Sequence, residues 1–201
     1  MMLAFDGSAI DGSAYTGVVD LARRSPAWLD SLVSAWSTYG LALFAVLMVV
    51  GWWRARRVSA SAAVVAMAAP VTVVVAYAVN DALKLVVRED RPCQSLRVTT
   101  LEACPAPGDW SFPSNHAAIA AAAAVALLFV SRRLGAVAVV AACAMAAARV
   151  WVGAHYPHDV VAGAAVGALV ALLLTAGVRS RPDALARRLT ATRLRPLLVA
   201  P

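Results

Sequence analysis

The chain has 201 residues, of which 62% are apolar and only 14% charged, and its mean hydropathy is +0.74. A soluble domain normally carries about a quarter charged residues, so these numbers argue against a cytosolic globule, intrinsic disorder, collagen and coiled coil alike. The net charge of +7 arrives in short clusters between long apolar runs, as in a bilayer-spanning protein, rather than along one face as in a nucleic-acid binder. Three cysteines are too few for a disulfide-scaffolded secreted module.

No cleavable leader is expected in Met1–Asp11, which lacks a basic start and already holds Asp6 and Asp11. From Ala14 to Leu32 the polarity is mixed, with Arg23, Arg24 and Pro26, which predicts a helix lying along the interface; a short, tilted span is the alternative. A helix needs about 20 mostly apolar residues to cross roughly 30 Å of hydrocarbon. Five later segments qualify, at 34–53, 60–79, 117–130, 134–152 and 160–178. The third is long enough only if it starts near Ser114, and the second is expected to continue past Asn80 towards Val87 because KLVV still reads as helix. The basic tail beyond Arg181, with Leu185, Leu189, Leu194 and Leu197, is expected to rest on anionic lipid heads or to move freely. The expected fold is therefore an all-α integral membrane protein forming one domain over 1–201. It comprises a bundle of five transmembrane helices, six if 14–32 crosses, an N-terminal interfacial helix and a basic tail over 180–201. Abundant Ala and Gly permit close helix approach in lipid.

Alternating spans place eleven arginines on one side: Arg54, Arg56, Arg57, Arg132, Arg133 and the six from Arg179 to Arg195. That side, with the C-terminus, is expected to be cytoplasmic. The other side receives Arg23, Arg24, Lys84, Arg88, Arg91, Arg97 and Arg149, more cations than the rule tolerates unless some of them serve a ligand.

All three histidines and most of these outer cations fall into three short stretches predicted to share one membrane face: Lys84 to Pro92, Phe112 to His116, and Ala148 to Asp159. On a continuous helix Lys84 and Arg91, seven apart, fall within about 20° of each other, placed to share an anion. Arg88 reads as a snorkelling side chain. Pro113 and Ser114 begin a helix whose N-terminus offers unpaired N–H groups to an anion, with His116 in the first turn; Ser114 either caps that helix or binds the anion. His155 and Asp159 are four apart, a spacing that lets the carboxylate fix one ring nitrogen and leave the other as a nucleophile or base, or that merely holds a turn. His158 is expected at the interface without a partner. Cations, a helix N-terminus and two imidazoles suffice for phosphoryl transfer, and no metal or cofactor is expected.

The motifs Lys84-x6-Arg91-Pro92, Pro113-Ser114-Asn115-His116 and Arg149-x5-His155-x3-Asp159, in that order, resemble those of the type 2 phosphatidic acid phosphatase superfamily. The resemblance covers residues 84–159, and its wording is nearest to the bacitracin-resistance type of undecaprenyl pyrophosphate phosphatase. It implies that His155 attacks phosphorus to form a phosphohistidine, oriented by Asp159, and that His116 protonates the leaving group. Lys84, Arg91 and Arg149 would hold the phosphoryl oxygens with Ser114 and the Asn115 backbone. Asn115 stands where glycine is common, and Ala148 where serine often precedes the arginine.

The implied activity is metal-independent hydrolysis of a polyprenyl pyrophosphate to the monophosphate, at the outer face of a bacterial plasma membrane. The implied partners are that lipid and the surrounding membrane lipids, not nucleic acid; the oligomeric state stays open. A phosphatase for another lipid monoester is the nearer alternative, and a non-catalytic lipid-head binder or flippase the more distant one. Cys93 and Cys104 flank a loop on the predicted outer side, where a disulfide is expected to close it; Cys143 is expected to serve packing within the fourth span.

Overall fold

Residues 5–199 are described by the computed structural model, whose regular elements are helices, with one isolated bridge between Phe5 and Glu89. Ten helices follow in chain order: α1 Ser8–Arg23, α2 Ala27–Tyr39, α3 Leu41–Ala55, α4 Ala60–Val87, α5 Pro92–Ser95, α6 Asn115–Val130, α7 Arg132–Trp151, α8 Pro157–Arg179, α9 Pro182–Thr190 and α10 Arg195–Leu198. Helices α4, α7 and α8 are each long and apolar enough to cross a membrane, and α2 with α3 makes a fourth candidate bent by 52° at Gly40. The third expected span, 117–130, is α6, an apolar helix of 16 residues.

Alanine explains why so short a helix sits at the centre. Ala117, Ala118, Ala120, Ala122, Ala123, Ala124 and Ala126 of α6 are all buried, so neighbours approach on every side and no lipid-facing stripe is needed. On one side Phe44, Ala138 and Met145 pack with Ala120, Ala123 and Leu127; on another Ala76 and Ala171 pack with Ala122. Glycine brings α8 closest. A Cβ on Gly163 would lie 2.3 Å from the Ser114 carbonyl oxygen, and one on Gly167 would lie 2.1 Å from that of Ala118. This contact seats the start of α6, and with it His116, against the start of α8.

Four expectations require correction. Residues 14–32 do not form one interfacial helix: Pro26, which has no N–H to donate, separates α1 from α2, and α2 joins α3 as a bent pair. The second span does run to Val87, but the helix stops there. Arg88 turns left-handed (φ 54°), so Lys84 and Arg91 do not share a helical face. Within its described residues the tail does not move freely: it folds back onto the start of α4, burying Ala186 and Leu198 beside Ala63 and Val64, while the Trp52 indole donates to the Leu197 carbonyl (2.8 Å). Cys143 is exposed on α7, pointing away from the packed interior.

Candidate active site

Helix α4 ends, and α6 and α8 begin, at the same end of the bundle, where α7 also finishes. Their termini enclose a cavity of about 340 Å³ lined by Lys84, Arg91, Asn115, His116, Arg149 and His155, among others. The three cations come from α4, from the loop after it and from α7, and each is only 7% exposed. Buried cations are costly unless paired, and Arg91 and Arg149 each hold a carboxylate, Asp109 and Glu102, so the cavity is an electropositive place balanced by acids of its own rim.

The left-handed turn at Arg88 does what the predicted helix was expected to do. It sends the chain back across the end of the bundle, and Arg91 comes to rest between the Asp109 carboxylate (2.7 Å) and the carbonyl oxygen of Ala154 (2.9 Å). Lys84 reaches the same cavity from within α4, donating to the carbonyls of Trp110 (2.7 Å) and Ser111 (3.2 Å).

His155 follows the turn at Gly153, whose φ of +83° suits glycine. Its Nε2 lies 3.0 Å from a guanidinium nitrogen of Arg91. A guanidinium has no acceptor, so Nε2 must hold the lone pair. The ring proton then sits on Nδ1 and points to Asp159 Oδ2 at 3.3 Å. The same oxygen accepts from the Ser111 hydroxyl (2.5 Å) and the Tyr156 N–H (2.8 Å), which fixes the carboxylate. Burial above all, then the charges of Arg91, Arg149 and Lys84, hold the His155 pKa well below the usual imidazole value, so the ring is neutral at neutral pH.

His116 lies in the first turn of α6 on the cavity wall, and Asn115 beside it is engaged sideways. The Asn80 amide donates to its oxygen (2.6 Å), and its own amide donates to Asp81 (3.1 Å). Ser114 does not cap α6: its hydroxyl is buried without a partner among the described residues. Arg149 donates to Ser37 Oγ (2.5 Å) and to Glu102 (2.9 Å). Cys93 and Cys104 are joined by a disulfide, Cα–Cα 5.9 Å, at the cavity's edge.

His158 is not a lone interfacial residue. Its Nδ1 meets Asp11 at 2.7 Å, its Nε2 meets Glu89 at 3.0 Å, and its ring stacks on Tyr156. Glu89, His158 and Asp159 also present ligand-type atoms within 4.8 Å of one another, but Asp11 and Glu89 already occupy both imidazole nitrogens. Sequence reasoning missed Asp11, Ser37, Asn80, Asp81, Glu89, Glu102, Asp109 and Ser111. Glu89 stood inside the first stretch, and Ser111 lies immediately before the second; the others carried no local signal.

An apolar helical bundle with three buried cations around a cavity at its rim is the arrangement of a membrane protein whose cavity suits an anion. Residues 65–183 match the family described as the PAP2 superfamily, and the chain belongs to that superfamily. It is 30% identical over 145 residues, 72% of each chain, to undecaprenyl-diphosphatase BcrC of Bacillus subtilis. It is 37% identical over 101 residues to decaprenylphosphoryl-5-phosphoribose phosphatase of Mycobacterium tuberculosis, covering 50% of this chain and 54% of that one. Among solved structures, a transmembrane PAP2-type phosphatidylglycerolphosphate phosphatase from Bacillus subtilis shares the fold. Its TM-score is 0.58 at 19% identity, covering 85% of this chain and 87% of that one.

Proposed function

We propose that this protein hydrolyses a polyprenyl diphosphate to the monophosphate and inorganic phosphate, as one domain whose site residues lie within 84–159. The observation that carries the chemistry is the fixed tautomer of His155, with its lone pair on Nε2 facing the cavity cations and its proton held on Nδ1 by Asp159. When a phosphoryl group enters, Arg91 transfers its hydrogen bond from Nε2 to a phosphoryl oxygen and frees the lone pair. Nε2 then attacks phosphorus and the bond to the polyprenyl-phosphate oxygen breaks, while His116 delivers a proton to that leaving oxygen. Water next attacks the phosphohistidine, His116 takes its proton, and the N–P bond breaks to release phosphate. Lys84, Arg91 and Arg149 carry the charge on the equatorial oxygens, and the unpartnered Ser114 hydroxyl with the Asn115 N–H assists them.

The relatives named above, one acting on undecaprenyl diphosphate and one on a decaprenyl-phosphoryl substrate, support a polyprenyl lipid. The substrate's tail would lie along the bundle in the bilayer. Charge supports an outward-facing site in a bacterial plasma membrane. All eleven arginines of the cytoplasm-assigned set lie at the end of the bundle opposite the cavity, accompanied by a single acidic residue, Asp183. The disulfide at the cavity's edge fits an oxidising compartment.

The test is phosphate release from a panel of lipids in detergent with EDTA. The polyprenyl diphosphate is expected to be the preferred substrate and EDTA to leave turnover intact. Preference for phosphatidic acid, phosphatidylglycerophosphate or another monoester would overturn the substrate, and loss of turnover in EDTA would overturn the metal-free route.

A further inference from the structure

The cations that would hold phosphate already have partners supplied by one segment of chain, 102–111. Lys84 rests on two carbonyls, whereas Arg91 and Arg149 each hold a carboxylate, Asp109 and Glu102. The two carboxylates differ in how they are placed. The Asp109 side chain is about half exposed. Glu102 lies within the loop closed by Cys93 and Cys104, and its backbone is bound on both sides. Its N–H donates to the Val152 carbonyl (3.1 Å), and its own carbonyl accepts from Thr100 Oγ (2.6 Å). Its Oε1 accepts from Arg149 (2.9 Å) and from the Ser37 hydroxyl (2.8 Å), so the carboxylate is fixed on a buried arginine at the cavity wall.

Building on the phosphatase reading, we propose that Glu102 is a resident counter-ion occupying part of the phosphate site, which every phosphate-class ligand must displace from Arg149. A carboxylate oxygen and a phosphoryl oxygen seek the same N–H groups with the same geometry. Without Glu102, Arg149 would stand without a counter-ion beside Arg91 and Lys84, and the cavity would hold the released phosphate more tightly. With Glu102 in place, phosphate leaves as the carboxylate returns to Arg149. Glu102 therefore sets anion affinity and product release rather than the bond-breaking step.

The experiment is Glu102→Gln in the full-length protein, which keeps the side chain's size and removes its charge. Binding of inorganic phosphate is measured by equilibrium dialysis, and vanadate inhibition is measured alongside lipid turnover. The expected result is phosphate and vanadate binding tighter by about tenfold, and KM for the lipid lower than in the wild type. Glu102→Asp, one methylene shorter and therefore drawn back from Arg149, is expected to move the same constants in the same direction by less. It also serves as the test if the Gln variant does not fold. Unchanged or weaker phosphate binding in folded variants would overturn the counter-ion role. Failure of phosphate and vanadate to bind wild type and variants alike would instead overturn the phosphatase reading itself.

Discussion

Asp159 is flanked by two histidines, His155 and His158, which lie on the same turn of chain yet occupy opposite electrostatic surroundings. On the His155 side stand Arg91, Lys84 and Arg149, and the cavity. On the His158 side stand Asp11, Glu89 and Asp159 itself, with α1 packed over them. Burial first, and then these cations, keep one imidazole neutral with an available lone pair. The carboxylates clamp the other by both nitrogens, leaving none for chemistry. Imidazoles three residues apart thus stand in different surroundings: one is buried among cations and faces the cavity, and the other fastens the N-terminal helix to the loop that carries the first.

The comparison breaks most visibly if the two are exchangeable. His155→Ala is expected to lower turnover by about 10³-fold or more while leaving the protein folded. His158→Ala is expected to do the reverse. It strands the buried Glu89 and the half-buried Asp11 without their partner, at a cost of about 2–4 kcal/mol in stability. Turnover measured well below its unfolding midpoint should remain within a few-fold of the wild type. Thermal unfolding in detergent and phosphate release, recorded on both variants, check this. A His158 variant that is fully stable but inactive would show that the carboxylate side takes part in catalysis.

Between the two lies Ser111, which donates to Asp159 Oδ2 and sits 3.4 Å from His155 Nδ1. It does not line the cavity and acts through Asp159, so it is a positioning residue. Removing the hydroxyl leaves the Tyr156 N–H as the remaining firm anchor of that oxygen. Ser111→Ala is expected to reduce kcat by about tenfold through loss of His155 alignment, with KM little changed because the cations are untouched. A change in KM alone would mean that Ser111 serves the Lys84 side through its neighbouring carbonyl instead.

How much of this was legible depended on distance along the chain. Arg149, His155 and Asp159 lie within eleven residues, at the end of α7, in the turn after it and at the start of α8, where short spacing constrains geometry, and His155 Nδ1 lies 3.3 Å from Asp159. The convergence of Lys84 and Arg91 was anticipated for the wrong reason. Helical phase was expected to align them, whereas Arg88 ends the helix and a loop returns Arg91 to the cavity. The break between α1 and α2 was present in the sequence as Pro26, but the mixed polarity around it was read as one element. Partners far apart in sequence left no trace. Nothing periodic links Asp11 to His158, 147 positions on, or Ser37 to Arg149, 112 positions on, because each pair meets only once the bundle has closed. The same holds for α6: its sixteen residues look short for a span until its neighbours show that it is the helix around which the others pack.

The smallest effect sharpens the electrostatic half of the comparison. Glu89 is about 1% exposed and close to Asp159, and burial first, then that neighbouring charge, pushes its pKa from the ordinary 4.5 up to about 7. Between those values the folded protein holds a proton at Glu89 that the unfolded chain has lost. Folding is therefore favoured by this group at the acid end of the window and loses that support as pH rises towards about 7. Glu89→Gln fixes the neutral form, so its stability should lack this slope. Relative to the variant, the wild type should lose apparent unfolding midpoint between pH 5 and pH 7.5, by a few degrees. A wild-type advantage that grew with pH would mean that the carboxylate is more stable inside than outside. In that case the imidazolium of His158 outweighs burial, and the His158 side of Asp159 is a closed ion pair rather than a crowded set of carboxyls sharing too little positive charge.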